Sequence, residues 1–407
     1  MRNVLIFLEM FLVVSFAQSQ TIRYVRPVLH GSGNGSSWAN ASNDLQAMIN
    51  SSSAGDEVWV AEGTYYPLQD ISDDGNVYAP VLCGVNTYCD SLVGSTNSRP
   101  RLKSFLLKAD VRIYGGFPDN GSAVWTDRDW NANPTILSGD IGIPNDNTDN
   151  CYHVVISVGS VDSACLDGFT ITKGDGNNPE IFHYLTYNSG LPASSNIFIY
   201  VNGIGVSESV GAGIVITNSS PTLANLIISE NSVHGHGGGM SIHENSSPLL
   251  TNVTINENTA FNGGGMYSLS SSPVLTNVTI IENHARSNGG GIFSAGINPS
   301  LVLMNVTIGE NHAIGSGGGI LSTGHTPSLS LMNVTISGNL ADGNGGGIYG
   351  DNLSYSPLPM MLTNVIITGN VANSNGGGMY NDGASSLVLT NVIITGNRTG
   401  GGSGDGS

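Results

Sequence analysis

Three aspartates crowd one short segment of the chain, Asp140, Asp146 and Asp149, and carboxylates at that density are the hard oxygen ligands that a calcium ion takes. The opposing reading is a solvated acidic loop, because their spacing is not that of a dedicated calcium loop. A second acidic set recurs farther on, where Glu230, Glu257, Glu282 and Glu310 each stand immediately before an asparagine. A third set is apolar: Tyr267, Phe293, Leu321, Tyr349 and Tyr380 each follow a Met or Ile that closes a glycine run. Aromatic rings on an outer face can stack on sugar rings or meet a protein partner, or they can shield a strand face. Arg286 sits in a turn with no aspartate cluster beside it, so a cation acting as base has no acidic site to serve.

The elements that must position these residues are repeats. Between Leu223 and Asn397 the pattern Leu-x-Asn-aliphatic-x-aliphatic-x-x-Asn occurs seven times, with first asparagines at Asn225, Asn252, Asn277, Asn305, Asn333, Asn364 and Asn391. The second asparagine falls six residues later in every copy, from Asn231 to Asn397. Glycine runs begin at Gly237, Gly263, Gly289, Gly317, Gly345 and Gly376, in steps of 26, 26, 28, 28 and 31 residues. A fixed period of that length marks a solenoid, and apolar runs such as Val253-Thr254-Ile255 are too short for helices and alternate as strands do. One unit is therefore one coil of a β-solenoid, with like residues resting on like. Leu303, Val306 and Ile308 face inward, Thr307 outward, and the asparagines form bend columns whose amides pass hydrogen bonds from coil to coil. His236 stands where Asn262, Asn288, Ser316, Asn344 and Asn375 stand in other units, which makes it a turn residue. The Asn-Val-Thr tripeptides at Asn252, Asn277, Asn305 and Asn333 match glycosylation acceptors, but their amides belong to the same bend column.

Ahead of the repeats the same architecture continues less regularly. A short helix over Asp44 to Ile49 precedes the strand Asp56 to Val60, with a turn at Ala61 to Tyr65 and further strands at Ser104 to Leu107, Val111 to Tyr114, Thr135 to Leu137, His153 to Ile156 and Phe169 to Ile171. Such a helix would cover the open edge of the first coil. Stretches at about 68–100 and 174–205 are lateral excursions from the solenoid. Residues 1–17 have a positive start, an apolar stretch and small residues at Ser15 and Ala17, the pattern of a secretory signal. The stretch is short for a bilayer span and contains Glu9, and no second span follows it. The expected organisation is a signal peptide at 1–17, irregular coils at 18–210, regular coils at 211–397 and a Gly/Ser-rich tail at 398–407.

Export agrees with four cysteines, whose spacing suggests the local pairs Cys83 with Cys89 and Cys151 with Cys165, although four cysteines permit three connectivities. None has zinc-ligand spacing with a histidine. After residue 209 the chain carries two Lys and Arg against nine Asp and Glu, and before it ten against twenty-one. An acidic surface of that sign repels phosphate backbones, which argues against nucleic acid as a partner.

Taken together, Gly-Gly-Gly-Ile or Gly-Gly-Gly-Met followed by a later Asn resembles the polymorphic outer-membrane protein repeats of bacterial surface proteins. Tyr24 to Pro67, Ile113-Tyr114-Gly115-Gly116-Phe117 and Leu166-Asp167-Gly168-Phe169-Thr170-Ile171 are similar to stretches of secreted right-handed β-helix proteins of the pectate-lyase-like superfamily. The likeness covers nearly the whole chain after the leader. It departs where Glu-Asn or Gly-Asn replaces the Phe that many members carry before the Asn, and no translocator barrel or polar terminal cap follows Asn397, so the expectation is the front part of a longer protein. Asn147-Thr148-Asp149 and Gly235-His236-Gly237 resemble fragments of polygalacturonase motifs, yet Asp149 lacks further carboxylates at that family's spacing.

The resulting expectation is an all-β, right-handed parallel β-helix with a short N-terminal capping helix. It is secreted or held at the cell surface or outer membrane, and works as a non-catalytic adhesin or binding scaffold for carbohydrate or for a host or neighbouring cell. Its ligand-binding residues are Tyr267, Phe293, Tyr349 and Tyr380. No catalytic residue and no cofactor is named, and calcium at Asp140, Asp146 and Asp149 is the one metal considered. The competing class is a polysaccharide lyase or hydrolase.

Overall fold

The computed structural model describes residues 20–73, 75–82, 88–95, 100–177, 197–352, 359–383 and 386–400. The expected signal peptide and the residues after Gly400 lie outside them.

A strand that buries alternate residues on one side needs a partner in register, and here each unit finds it in the next unit along the chain. Among the described residues three parallel sheets of 15, 9 and 8 strands form the walls, the 8-stranded one beginning at Asp175–Gly176. In the largest, Leu250 pairs with Leu275, Leu275 with Leu303, Leu303 with Leu331 and Leu331 with Leu362, so one leucine column crosses five coils without slipping. Leu303, Ile280 and Ile308 are completely buried, whereas Thr307 is exposed. The 8-stranded wall is built from two-residue strands, and its inward column is alanine: Ala260, Ala285, Ala313, Ala341 and Ala372, all fully buried. A small side chain is needed where that wall meets the core closely.

The asparagine bend of each coil uses two left-handed positions, and a third opens each glycine run, where Gly263 and Gly289 have φ of 65° and 66°. All seven first asparagines have φ between 52° and 56°, and Glu230, Glu257, Glu282 and Glu310 have φ between 55° and 57°. Asparagine tolerates that region better than other side-chain-bearing residues do. The rest of the glycine run answers a different demand. A Cβ on Gly264 would lie 2.5 Å from the Gly290 carbonyl oxygen, so successive coils could not close on each other there.

The helix found at Leu45–Ser51 starts from Asp44, whose side chain accepts from the Ala47 N–H at 2.9 Å. Leu45, Met48 and Ile49 enter the main core beside Val25, Val58 and Val60. The stretch after Ala61, expected as a turn, contains the strand Gly63–Tyr65. Its glycine reads locally as a turn, but Thr135–Ser138 supplies a parallel partner. The two excursions turn out to be one structure. Strand Asn76–Leu82 of the first pairs antiparallel with Phe198–Val201 of the second, inside a four-stranded antiparallel sheet apart from the three walls. Ile197, Ile199 and Val206 pack from it against Ile156 and Val215 in a second core.

The cysteine expectation needs correction. Cys151 and Cys165 are both free thiols. Cys151 is part of the main core, while Cys165 alternates with buried Leu166 on the outer side of its strand, so the wall itself separates the sulfurs. The Cys83–Cys89 pairing lies outside the described residues. Among the described residues no helix is long and apolar enough to cross a membrane.

Candidate functional site

The column formed by Tyr267, Phe293, Leu321, Tyr349 and Tyr380 is real, since each residue pairs with the next in the 9-stranded wall. Strand alternation sends it away from the main core, because Met266, Ile292, Ile320 and Ile348 beside it point in. Its exposure is uneven. Tyr267 is only 7% exposed and Leu321 5%. Tyr267 is held between His236, with centroids 4.5 Å apart at 15°, and Phe293, 5.2 Å away at 15°. The expectation of an open stripe is therefore corrected at Tyr267. His236 comes from the preceding coil and covers it, a contact that spacing within one repeat could not reveal. Tyr349 and Tyr380 remain half-exposed and stack at 5.7 Å and 20°.

Burial controls the ionisation of this stack. The phenol of Tyr267 is pushed above its ordinary range and the imidazole of His236 below its own, both by loss of water. His243, whose ring nitrogen lies 2.6 Å from the Ser241 hydroxyl, is pushed down to about 4 by burial and then by His236. These rings are neutral near pH 7 and serve as packing surface.

The aspartate loop is organised by its own backbone. Asp140 accepts from the Asn145 N–H at 3.0 and 3.1 Å, Asp149 from the Ile143 N–H at 2.7 Å, and Asp146 from the Thr148 N–H at 2.9 Å and its hydroxyl at 2.7 Å. The Thr148 contacts hold the Asp146 carboxyl below the usual carboxylate range. The three carboxylates are turn acceptors, each with its own backbone partner. Among the described residues no three His, Cys, Asp or Glu side chains are placed to hold a metal ion.

The glutamate column is exposed along the bend. At its N-terminal end Lys173 forms an ion pair with Glu230 and occupies the same left-handed position, with φ of 64°. In later coils the column changes to Gly338, Gly369 and Gly396.

The geometry rests on two amide ladders. On the outer bend, Asn252 donates to Asn225, Asn277 to Asn252, Asn305 to Asn277, Asn333 to Asn305, Asn364 to Asn333 and Asn391 to Asn364, at 2.9 to 3.2 Å. Asn225 donates in turn to the Asp167 carboxylate at 2.8 Å, and Arg128 pairs with that carboxylate. The four Asn-Val-Thr asparagines all sit in this ladder.

Sequence reasoning passed over one exposed aromatic group. Trp125 and Trp130 are 47% and 38% exposed and flank Arg128. The signal available was two tryptophans within six residues of a chain that has four.

This architecture defines a parallel β-helix, and the comparisons agree on the repeat. Residues 277–295 and 333–351 match the Chlamydia polymorphic membrane protein repeat. The chain is thus a parallel β-helix protein with repeats of that type. No curated protein matches it. Among solved structures it is similar to the crystal structure of pectate lyase Pel9A, with 13% identity and a TM-score of 0.46 over 93% of this chain and 79% of that one.

Proposed function

We propose that the chain is an exported surface scaffold, a right-handed β-helix held at the bacterial outer membrane or released from it, that binds a glycan or a cell-surface partner and performs no chemistry. The outer-membrane placement leans on the likeness of its repeats to those of polymorphic membrane proteins, and the signal-like residues 1–17 fit export. The observation that carries the binding role is the stacked, half-exposed pair Tyr349 and Tyr380 on an outer wall, a flat surface that needs no charge to hold a ring.

A polysaccharide-cleaving enzyme is the competing reading. The side chains it would call on are engaged elsewhere: Asp149 with the Ile143 N–H and His236 against Tyr267. Incubation with pectin and polygalacturonate, with and without calcium, is expected to release no reducing ends or unsaturated products. Turnover abolished by Asp149→Asn would replace the scaffold with an enzyme. For binding, a glycan array read at low and high salt is expected to show retention that Tyr349→Ala and Tyr380→Ala reduce, and that Glu282→Gln and Glu310→Gln leave alone. The reverse ranking would move the site to the glutamate column.

A further inference from the structure

The geometry points to a second ligand site, on a different wall, in which Trp130 and the outer face of the largest sheet grip one ring of a neutral saccharide chain. The wall there carries a groove of about 140 Å³ whose lining joins Trp130 to the sheet face, where Ile227 stands between Thr170 and Thr254 in one column and Asn225 and Asn252 lie at the adjoining bend. Trp130 is 38% exposed and Ile227 45%. An exposed indole beside a face that interleaves an aliphatic side chain with hydroxyls and amides suits a pyranose, whose C–H faces are apolar and whose rim is hydroxyl. Pockets that engulf a whole small molecule run to about 300–1,000 Å³, so this one holds a single ring of a chain lying across it.

The groove is preorganised. Arg128 lies 5.2 Å from the Trp130 ring centroid, 5.4 Å from Trp125 and 5.3 Å from Tyr114. Its guanidinium donates to the Gly115 carbonyl at 2.6 Å and the Asp167 carbonyl at 2.9 Å and pairs with the Asp167 carboxylate. Two left-handed glycines make room for this arrangement. A Cβ on Gly116, at φ 89°, would lie 2.8 Å from the Trp130 backbone nitrogen, and one on Gly168, at φ 87°, would lie 2.5 Å from the Arg128 guanidinium. Gly168 stands at the left-handed bend that Asn225 fills one coil later, and it is the missing side chain there that leaves space for the Arg128 guanidinium. A side chain fixed before binding loses little entropy when it meets a ligand.

Charge selects a neutral chain. Arg128, the cation beside Trp130, is already neutralised by Asp167, and the protein carries a net charge of −18. Among the described residues that line the groove a uronate polymer would find no Lys or Arg, and it would meet general repulsion.

The test is isothermal titration of the full chain with cellohexaose, xylohexaose, mannohexaose and hexagalacturonate. At least one neutral hexasaccharide is expected to bind saturably and hexagalacturonate to bind more weakly. Trp130→Ala should weaken the neutral ligand at least about tenfold, and Trp130→Phe by less. Circular dichroism and the unfolding midpoint of both variants should match the parent, since the ring sits outside the main core. The same loss is expected when Trp130→Ala is made in a chain that already carries Tyr349→Ala and Tyr380→Ala, which separates the groove from the outer tyrosine pair. Absence of saturable binding by all three neutral chains, tighter binding of hexagalacturonate, or parental affinity in Trp130→Ala would each overturn the assignment.

Discussion

Every regular coil turns on two asparagines six residues apart, and the two do opposite jobs. The outer one is exposed or half-exposed, left-handed, and passes its amide hydrogen bonds toward the N-terminus, ending on Asp167. The inner one is buried, from Asn231 to Asn370, lies outside the left-handed region, and passes its asparagine-to-asparagine hydrogen bonds toward the C-terminus. Asn283 shows how dense that inner node is. The two N–H groups of its amide share three acceptors, the Ile255 and Ile281 carbonyls at 2.9 Å and the Asn311 oxygen at 3.0 Å, while its own oxygen accepts from the backbone and side-chain N–H groups of Asn258 at 3.0 Å. One residue type thus meets two unrelated requirements. The outer column answers a backbone conformation, and the inner column satisfies backbone groups that water cannot reach.

The difference predicts its own largest effect at the inner ladder. Asn283→Ala leaves buried donors and acceptors of two neighbouring coils without partners, each worth about 1–3 kcal/mol, so a loss of roughly 3–5 kcal/mol is expected in urea unfolding. Asn283→Gly should be no better, because φ is not the constraint there. A loss under about 1 kcal/mol would mean that the ladder is ornamental and that the leucine columns alone hold the coils.

At the outer ladder the expectation is smaller and glycine is diagnostic. Asn277→Ala removes two exposed amide bonds, to Asn252 at 3.2 Å and from Asn305 at 3.1 Å, and puts a Cβ-bearing residue at φ 56° without the local support of an amide. Together these cost about 1–2 kcal/mol. Asn277→Gly should recover about half of that, as Gly168 already fills the equivalent position one coil before Asn225. If alanine and glycine destabilise equally, the outer column works through its hydrogen bonds and the contrast between the two bends collapses.

How much of this was legible beforehand follows from the same physics. Stacking demands like on like, so leucine, asparagine and glycine columns are written in the repeats, and the inward set Leu303, Val306 and Ile308 is buried as expected. Contacts that link different coils or different excursions leave no such trace. The cover of His236 over Tyr267, the joint sheet of Asn76–Leu82 and Phe198–Val201, and the placing of Cys151 and Cys165 on opposite sides of one wall all depend on partners distant in sequence. The Trp130 groove was hidden for the same reason, since Arg128, Asp167 and Asn225 meet only after two turns of the chain.

The smallest expected effect concerns the glutamates that precede the inner ladder. Glu282 is held at φ 57°, exposed, with Glu257 and Glu310 at the same point of the neighbouring coils, while coils farther on place Gly338, Gly369 and Gly396 there. A side chain in the left-handed region costs about 1 kcal/mol or more, and like charges stacked along a bend add repulsion that salt screens. Glycine loses more chain entropy on folding, which offsets part of the gain. Glu282→Gly is therefore expected to stabilise the chain by about 0.5–1 kcal/mol at low salt and by less at high salt, read from urea midpoints at both ionic strengths. Destabilisation at low salt would show that the glutamate column contributes to the fold through contacts of its own, and the bend would then hold two working ladders and a third column beside them.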